Sequence, residues 1–165
     1  MELCARRRYI PRMKTIEMML RSHPRVDAQR VVDYAETLKA LSTCFETCSA
    51  CADACLGEPE HLERLRRCIT TDLDCADVCA ATIRVLLRQT ETPNELVHAQ
   101  LHACVVACQI CADECESHAD RHDHCRINAE ACRYCQERCN FLLGEISSSG
   151  TAETANPDES PTLSL

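Results

Sequence analysis

Glycine is scarce, with 3 of 165 residues. The alternation of apolar and polar residues that is typical of β-strands is also hard to find. Alanine, leucine, glutamate and arginine instead fill long segments between turn signals, which favours helices over strands. A chain of this length with 45% apolar residues is expected to form one compact domain with a core. The predicted fold class is therefore all-α.

Basic residues are also sparse. The formal net charge is −8, and Lys14 and Lys39 are the only lysines. A locally basic run, "RRRY" at residues 6–9, has no basic stripe with interleaved aromatic residues beside it, as single-strand binders have. Nucleic acid is therefore not an expected partner.

An export signal is not found in the N-terminal region. A paired arginine near the start could belong to one, but Lys14, Glu17 and Arg21 interrupt every apolar run that follows, and no small-x-small cleavage site appears. No apolar span is expected to cross a bilayer. The sequence thus predicts a cytoplasmic protein without membrane contact.

Turn signals divide the chain into helical segments. They are "HPR" at residues 23–25, "GEPE" at 57–60, "TETPNE" at 90–95 and "SHADRHD" at 117–123. The helices are predicted at residues 27–56, 59–89, 93–117 and 121–146, preceded by a short amphipathic helix at 12–22. Asp27, Thr92 and Asp120 are the predicted caps, and Met13, Met18 and Met19 are interpreted as core-facing residues of the short helix.

This division predicts three parts of the chain. Residues 1–26 form an N-terminal extension with the short helix, residues 27–146 form the main bundle, and residues 147–165 form a disordered tail. The tail is rich in serine, threonine, proline and acidic residues and has little to bury.

Cysteine is abundant, with 16 residues, and its pattern repeats. "CFETCSACADAC" at residues 44–55 and "CVVACQICADEC" at 104–115 have the same spacing. A shift of sixty residues superimposes these two segments, and it also aligns Cys75 with Cys135 and Cys79 with Cys139. The repeated unit is a helical hairpin, and two such hairpins predict an antiparallel four-helix bundle.

The spacing of the cysteines places them on one face of each helix, since offsets of 4, 7 and 11 residues return a side chain to within about 40° of its start. Only Cys4, in the N-terminal extension, lies outside this scheme. The cysteines predicted to line the bundle core as metal ligands are Cys44, Cys48, Cys51, Cys55, Cys68, Cys75, Cys79, Cys104, Cys108, Cys111, Cys115, Cys125, Cys132, Cys135 and Cys139.

A metal site explains these cysteines better than packing or cross-linking does. A single buried cysteine usually packs like a small apolar residue, but fifteen on one seam would risk oxidation with no gain over alanine. Positions i and i+4 hold their Cβ atoms about 5 to 6 Å apart, whereas a disulfide needs roughly 3.5 to 4.5 Å. In a reducing compartment so many cysteines indicate metal binding.

Charge and ligand softness favour Cu(I) as the metal. Linear bridging needs a sulfur-to-sulfur span of roughly 4.6 Å if the zinc–sulfur distance sets the scale, and i, i+4 thiols can reach it. A row of tetrathiolate Zn²⁺ sites would carry uncompensated negative charge that is costly to bury, whereas one Cu(I) per thiolate is neutral and soft. The predicted capacity is on the order of one ion per core cysteine, and iron–sulfur clusters fit less well because no loop run such as C-x2-C-x2-C-x3-C-P occurs.

The two ends of the predicted bundle differ. His118, His122 and His124 lie in the turn at the cysteine end, with His61 near the same mouth, and imidazole is a competent copper ligand there. Asp72, on the cysteine stripe, is interpreted as either an accessory ligand or a buried acid satisfied by hydrogen bonds. The opposite end is predicted to be a closed apolar plug made of Leu38, Leu41, Ile83, Leu86, Val97, Leu101, Leu142 and Ile146.

These motifs, with "HADRHDHC" and "CRYCQERC", give residues 27–146 a sequence that resembles the four-helix-bundle copper storage proteins, in particular their cytosolic branch. The resemblance implies a cysteine-lined bundle that fills with many Cu(I) ions without catalysing a reaction. It further implies a homotetramer, and it assigns His118, His122 and His124 to the open end. The extra N-terminal stretch and the long polar tail depart from the family pattern.

Three other functions remain as alternatives. The first is a Zn²⁺ or Cd²⁺ thiolate-binding protein, and the second is a thiol redox catalyst using "CSAC" or "CQIC". The latter pairs lie in the middle of a helix and not at a helix N-terminus, where the thiol pKa is usually low. The third alternative is a purely structural bundle.

Overall fold

The computed structural model describes the backbone of residues 12–150 and the side chains of residues 14–147, so Cys4 and most of the predicted tail lie outside the described residues. Within this range the chain forms helices and no strand. The helices are α1 (Arg12–Ser22), α2 (Val31–Leu56), α3 (Leu62–Leu86), α4 (Asn94–Glu116) and α5 (Asp123–Gly150).

Helices α2 to α5 form an antiparallel four-helix bundle, as the sequence predicts. Each packs against its neighbours in the chain, and α5 closes the ring against α2, whereas the backbones of the diagonal pairs lie farther apart and these helices meet through core side chains. Helix α1 packs on α2 outside this ring. The cysteine stripes of the four long helices therefore face one central axis, which is where the buried residues lie.

The helix starts differ from the prediction because the residues proposed as caps act elsewhere. Asp27 accepts a hydrogen bond from the Gln29 N–H at 2.9 Å, which closes a turn, and α2 begins four residues later at Val31. The Thr92 hydroxyl donates back to the Arg88 carbonyl at 2.7 Å, so Pro93 is the residue preceding α4. Asp120 lies three residues before the start of α5, so none of the three caps its helix as predicted.

Helix α1 has the predicted bounds, but the prediction for its methionines is wrong. Met18 and Met19 are 52% and 64% exposed, while the Met13 side chain lies outside the described residues. Leu20 is buried and Ile16 is half-buried against the core. Because α1 packs on α2 alone, a narrow stripe of apolar residues is enough to fill the contact between the two helices.

The end of the bundle away from the turn histidines is packed with apolar side chains. Seven of the eight predicted plug residues are buried, and Ile83 is half-buried, while Val85 in the same helix is buried as well. Leu41 and Leu101 are fully enclosed. The thiol-lined core along the central axis, which we call the channel, is thus closed at this end by hydrocarbon side chains.

One described helix is long and apolar enough to cross a bilayer by length and composition alone, although the sequence predicts no such span. Helix α4 is 23 residues long and has a mean hydropathy of 1.2 over its most apolar window, yet only 33% of that window is buried in the bundle. Its buried stripe contains Cys104, Cys108, Cys111 and Cys115. The helix therefore has apolar residues on its outer side as well as toward the core.

Candidate metal centre

All fifteen cysteines of the described residues point into the bundle and are free thiols. None is more than 2% exposed. The i, i+4 and i, i+7 spacing on each helix produces this arrangement, because it returns every cysteine to the face that packs against the other helices. These positions are the ones predicted from the sequence, and they form one continuous set along the axis.

The sulfur atoms of different helices lie close enough to share metal ions. The Cys44 Sγ lies 3.8 Å from the Sγ of Cys75, 3.9 Å from that of Cys108 and 3.6 Å from that of Cys132. These distances are far longer than a disulfide bond of about 2.05 Å. Cys44 therefore connects the thiols of all four helices at one level of the bundle.

Groups of four possible ligands overlap along the axis. Their ligand atoms lie within 4.8 Å of one another, a limit that includes the span of roughly 4.6 Å needed for two-coordinate bridging. Cys44, Cys75, Cys79 and Cys108 form one group, and Cys79 and Cys108 are shared with the next, which adds Cys104 and Cys135. Shared members are what bridging thiolates require, so an ion at one position has a neighbouring site within reach.

The protonation of the thiols sets a condition for metal binding. Burial raises the pKa of the Cys55 thiol to about 12, with the nearby charge of Cys68 acting in the same direction. A thiol must lose its proton to become a ligand. Metal binding at such a position therefore releases a proton and is favoured as the pH rises.

Asp72 lies between the cysteines of α3 and is fully buried. Its Oδ1 atom accepts hydrogen bonds from the Cys111 thiol at 3.0 Å, the Cys115 thiol at 3.3 Å and the Asn128 amide at 2.9 Å. Burial raises the pKa of the carboxyl to about 7. Asp72 is thus satisfied by hydrogen bonds, and it also belongs to a possible ligand group with Cys51, Cys68 and Cys115.

Asn128 is a core residue that the sequence reasoning missed. It is 1% exposed, and its amide lies 3.6 Å from the Cys111 Sγ and 3.5 Å from the Cys115 Sγ. The signal was present in the repeat, because the sixty-residue shift aligns Asn128 with Cys68 just as it aligns Cys132 with Asp72. The two departures from the repeat therefore meet in one hydrogen bond between α3 and α5.

His124 connects the turn histidines to the thiols. Its Nδ1 atom lies 3.5 Å from the Sγ atoms of Cys51 and Cys125 and 3.9 Å from that of Cys55. Burial lowers the pKa of the imidazole, and the neighbouring His122 lowers it further. An imidazole nitrogen this close to three thiols is suited to complete a metal site at this end.

His122 and His61 extend this row outward. The His122 ring centroid lies 5.3 Å from that of His124 and 5.4 Å from that of His61. His122 is only 7% exposed, and its Nδ1 atom lies 3.4 Å from a Glu58 carboxylate oxygen, while the His61 Nδ1 atom lies 3.7 Å from the other oxygen. The structure thus brings three of the four predicted histidines together, with Glu58 as a neighbour that the sequence did not indicate.

His118 has a different environment from the other three histidines. Its Nε2 atom lies 3.2 Å from a Glu114 oxygen, and Arg67 contacts the second oxygen of the same carboxylate at 2.9 Å. This arrangement links α3 and α4 near the mouth. His118 would have to leave Glu114 before this nitrogen could bind a metal ion.

Comparisons with known proteins agree with this geometry. A sequence-family model described as copper storage protein matches residues 31–144. The chain is similar to the solved structure of the copper storage protein Ccsp from Streptomyces lividans loaded with 10 copper equivalents, with 44% identity and a TM-score of 0.74, covering 78% of this chain and 98% of that one.

Further structures of the same Streptomyces lividans protein also match. A form with five coppers, described as a cytosolic copper storage protein, is 47% identical over 68% of this chain and 92% of that one, with a TM-score of 0.66. A mutant with one histidine replaced by alanine is 44% identical over 74% and 98% of the two chains, with a TM-score of 0.68. No curated protein sequence matches the chain significantly.

Proposed function

Because the chain belongs to the copper storage protein family, we propose that it stores multiple Cu(I) ions on the thiolates of its fifteen buried cysteines. The observation that carries this proposal is the series of overlapping ligand groups, whose atoms lie within 4.8 Å of one another. Thiolates that belong to two groups can bridge two ions, so the expected capacity is on the order of one ion per core cysteine.

The charge of the core supports a monovalent ion. The buried channel offers one described amide, that of Asn128, and many sulfur atoms. Replacing each thiol proton by one Cu(I) leaves the net charge of the channel unchanged, whereas divalent ions held by four thiolates would leave buried negative charge. Soft thiolates also prefer Cu(I).

We assign the histidines to the open end of the store. His124 would complete the outermost thiolate site with Cys51, Cys55 and Cys125, while His122 and His61 would bind ions on their way to it. We also assign Asp72 as an accessory ligand of the group with Cys51, Cys68 and Cys115. His118 is included as a mouth ligand that becomes available when Glu114 releases it.

Anaerobic titration of the reduced, copper-free protein with Cu(I) against a calibrated competing chelator tests the proposal. We expect many more than two ions per chain to bind before the chelator takes copper. Binding of two or fewer ions would contradict a storage function. Replacing the core cysteines by alanine should abolish the capacity, whereas a purely structural bundle would keep the metal content of the natural protein.

A divalent thiolate-binding protein is the alternative with structural support. The Cys44 Sγ contacts of 3.6 to 3.9 Å are also compatible with the edges of a tetrahedral Zn²⁺ site. Competition under reducing conditions separates the two functions, because Zn²⁺ or Cd²⁺ should not displace Cu(I) from a copper store.

We further propose a cytoplasmic homo-oligomer, a homotetramer, that acts without turning over a substrate. The cytoplasmic location is supported by the similar protein described as cytosolic. The position of "CSAC" and "CQIC" in the middle of helices supports storage over thiol redox catalysis. A reproducible dithiol turnover, abolished by changes at one of these pairs alone, would contradict this part of the proposal.

A further inference from the structure

Helix α4 has a second apolar stripe that faces away from the copper channel. It consists of Leu96, Ala99, Ala103, Val106 and Ile110, which we call the outer seam. All five residues are exposed, and the three large ones are 44 to 46% exposed. Their spacing of 3, 4, 3 and 4 residues is that of a helix that packs lengthwise on another helix. This stripe explains why α4 is apolar beyond the needs of its own bundle.

The neighbouring helix α3 lies beside the outer seam in a fixed register. The Cys79 Sγ is 3.8 Å from that of Cys104, and the Cys75 Sγ is 3.8 Å from that of Cys108. The two helices are antiparallel, so Ala80 of α3 lies level with Ala103 of α4.

The large residues at the two ends of the outer seam, Leu96 and Ile110, lie seven residues on either side of Ala103. A two-fold axis through Ala103 would place Leu96 of one copy opposite Ile110 of the other and Ala99 opposite Val106. Alanine at the axis allows the two helices to approach closely, and the larger residues fill the ends. No charged side chain belongs to the seam, so it can be buried without leaving a charge unpaired.

The exposed charges of α3 are arranged to suit the same axis. Asp74 and Asp77 precede Ala80 in α3 and Arg84 follows it, while Arg88 lies just beyond the end of the helix at Leu86. All four are exposed, and their one side-chain hydrogen bond among the described contacts runs from the Arg84 Nε atom to the Ala80 carbonyl at 3.2 Å. Rotation about the axis brings Asp77 of one copy beside Arg84 of the other. Such complementary charges set orientation and partner choice at an interface.

We propose that the α3–α4 face pairs with the same face of a second copy, with the two α4 helices antiparallel. The face includes a groove of about 340 Å³ lined by Thr71, Asp74, Ala103, Val106, Ala107 and Ile110, which can receive side chains of the other copy. Two adjacent helices about 10 Å apart and about 34 Å long present roughly 700 Å², close to the ~800 Å² per partner of a specific interface. The inference rests on the homo-oligomer of the proposed function and adds the surface that forms it.

Replacing the residue at the axis tests the apolar part of the interface. In Ala103→Glu, two carboxylates would meet at the two-fold axis, so the mass of the copper-free, reduced full chain should fall at least twofold in size-exclusion chromatography with light scattering. Ala50→Glu is the matched control, because Ala50 is exposed on α2, diagonal to α4, and its mass should equal that of the natural protein. A monomeric natural protein, or an unchanged mass for Ala103→Glu, would overturn the proposal.

A charge exchange tests the orientation without touching the seam. Arg84→Glu places like charges opposite Asp77 at two symmetric positions, and we expect the dissociation constant to rise by about tenfold. The double variant Asp77→Arg with Arg84→Glu restores opposite charges and should recover association. Failure of this recovery would refute the antiparallel pairing. Copper capacity, measured in parallel, tests storage separately, because the seam contains no cysteine.

Discussion

The buried carboxyl of Asp72 makes the stability of the copper-free protein depend on pH. In the folded state its pKa is about 7, compared with an ordinary value of 3.8. Between these values the folded protein binds a proton that the unfolded chain has lost, so the free energy of unfolding falls as the pH rises. Compared with a carboxyl that keeps its ordinary pKa in the folded state, Asp72 lowers the free energy of unfolding by about 4 kcal/mol at about pH 8 and by about 2 kcal/mol at about pH 5.

The substitution Asp72→Asn removes this dependence with little change in shape. The amide oxygen can accept the hydrogen bonds that Cys111, Cys115 and Asn128 donate to Oδ1. Its NH₂ group would face the Cys68 sulfur, which lies 3.8 Å from Oδ2. We therefore expect the free energy of unfolding of the variant, measured relative to that of the natural protein, to rise by about 2 to 3 kcal/mol as the pH increases from about 5 to about 8.

Urea denaturation of the reduced, copper-free proteins at both pH values measures this gain. Asp53→Asn is the matched control, because Asp53 is exposed on α2, and its difference from the natural protein should stay nearly constant with pH. If the difference for Asp72→Asn were equally constant, the carboxyl would be ionised in the folded state at low pH. The account of Asp72 as a buried, hydrogen-bonded acid would then be wrong.

Three further predictions concern the two ends and the middle of the channel. Cys108→Ala should lower the Cu(I) capacity by about one or two ions in the chelator titration, because Cys108 belongs to two ligand groups; an unchanged capacity would contradict bridging. His124→Ala should slow Cu(I) uptake in stopped-flow measurements while removing no more than about one ion, and unchanged kinetics would exclude the mouth assignment. Leu41→Ala, in the fully buried plug, should destabilise the protein by about 2 to 5 kcal/mol in urea with no loss of capacity.

The direction of the cysteine side chains could be predicted from the sequence because it depends on helical periodicity alone. Cys44 and Cys104 occupy equivalent positions in two copies of one motif, and each is fully buried. The same argument fails at helix ends. Asp27 has the residue type of a cap, yet its carboxylate closes a turn with Gln29, and only the tertiary position of the loop decides between the two.

The contacts at the mouth could not be predicted because they join residues from different turns. Glu58 follows α2, and His122 precedes α5, yet their side chains meet. No spacing within one helix contains this information. Asn128 is an intermediate case, since the broken repeat indicates an unusual position, but its hydrogen bond to Asp72 depends on how α3 and α5 pack.

The apolar plug gives the store a direction. Because Leu41 and Leu101 close the core at one end, bound ions can exchange with the solvent only at the other end. The ion bound most recently would therefore be the first to be released, and the ions bound earliest would be released last. The supply of copper to an acceptor would then be governed by the outermost ions, however full the interior is.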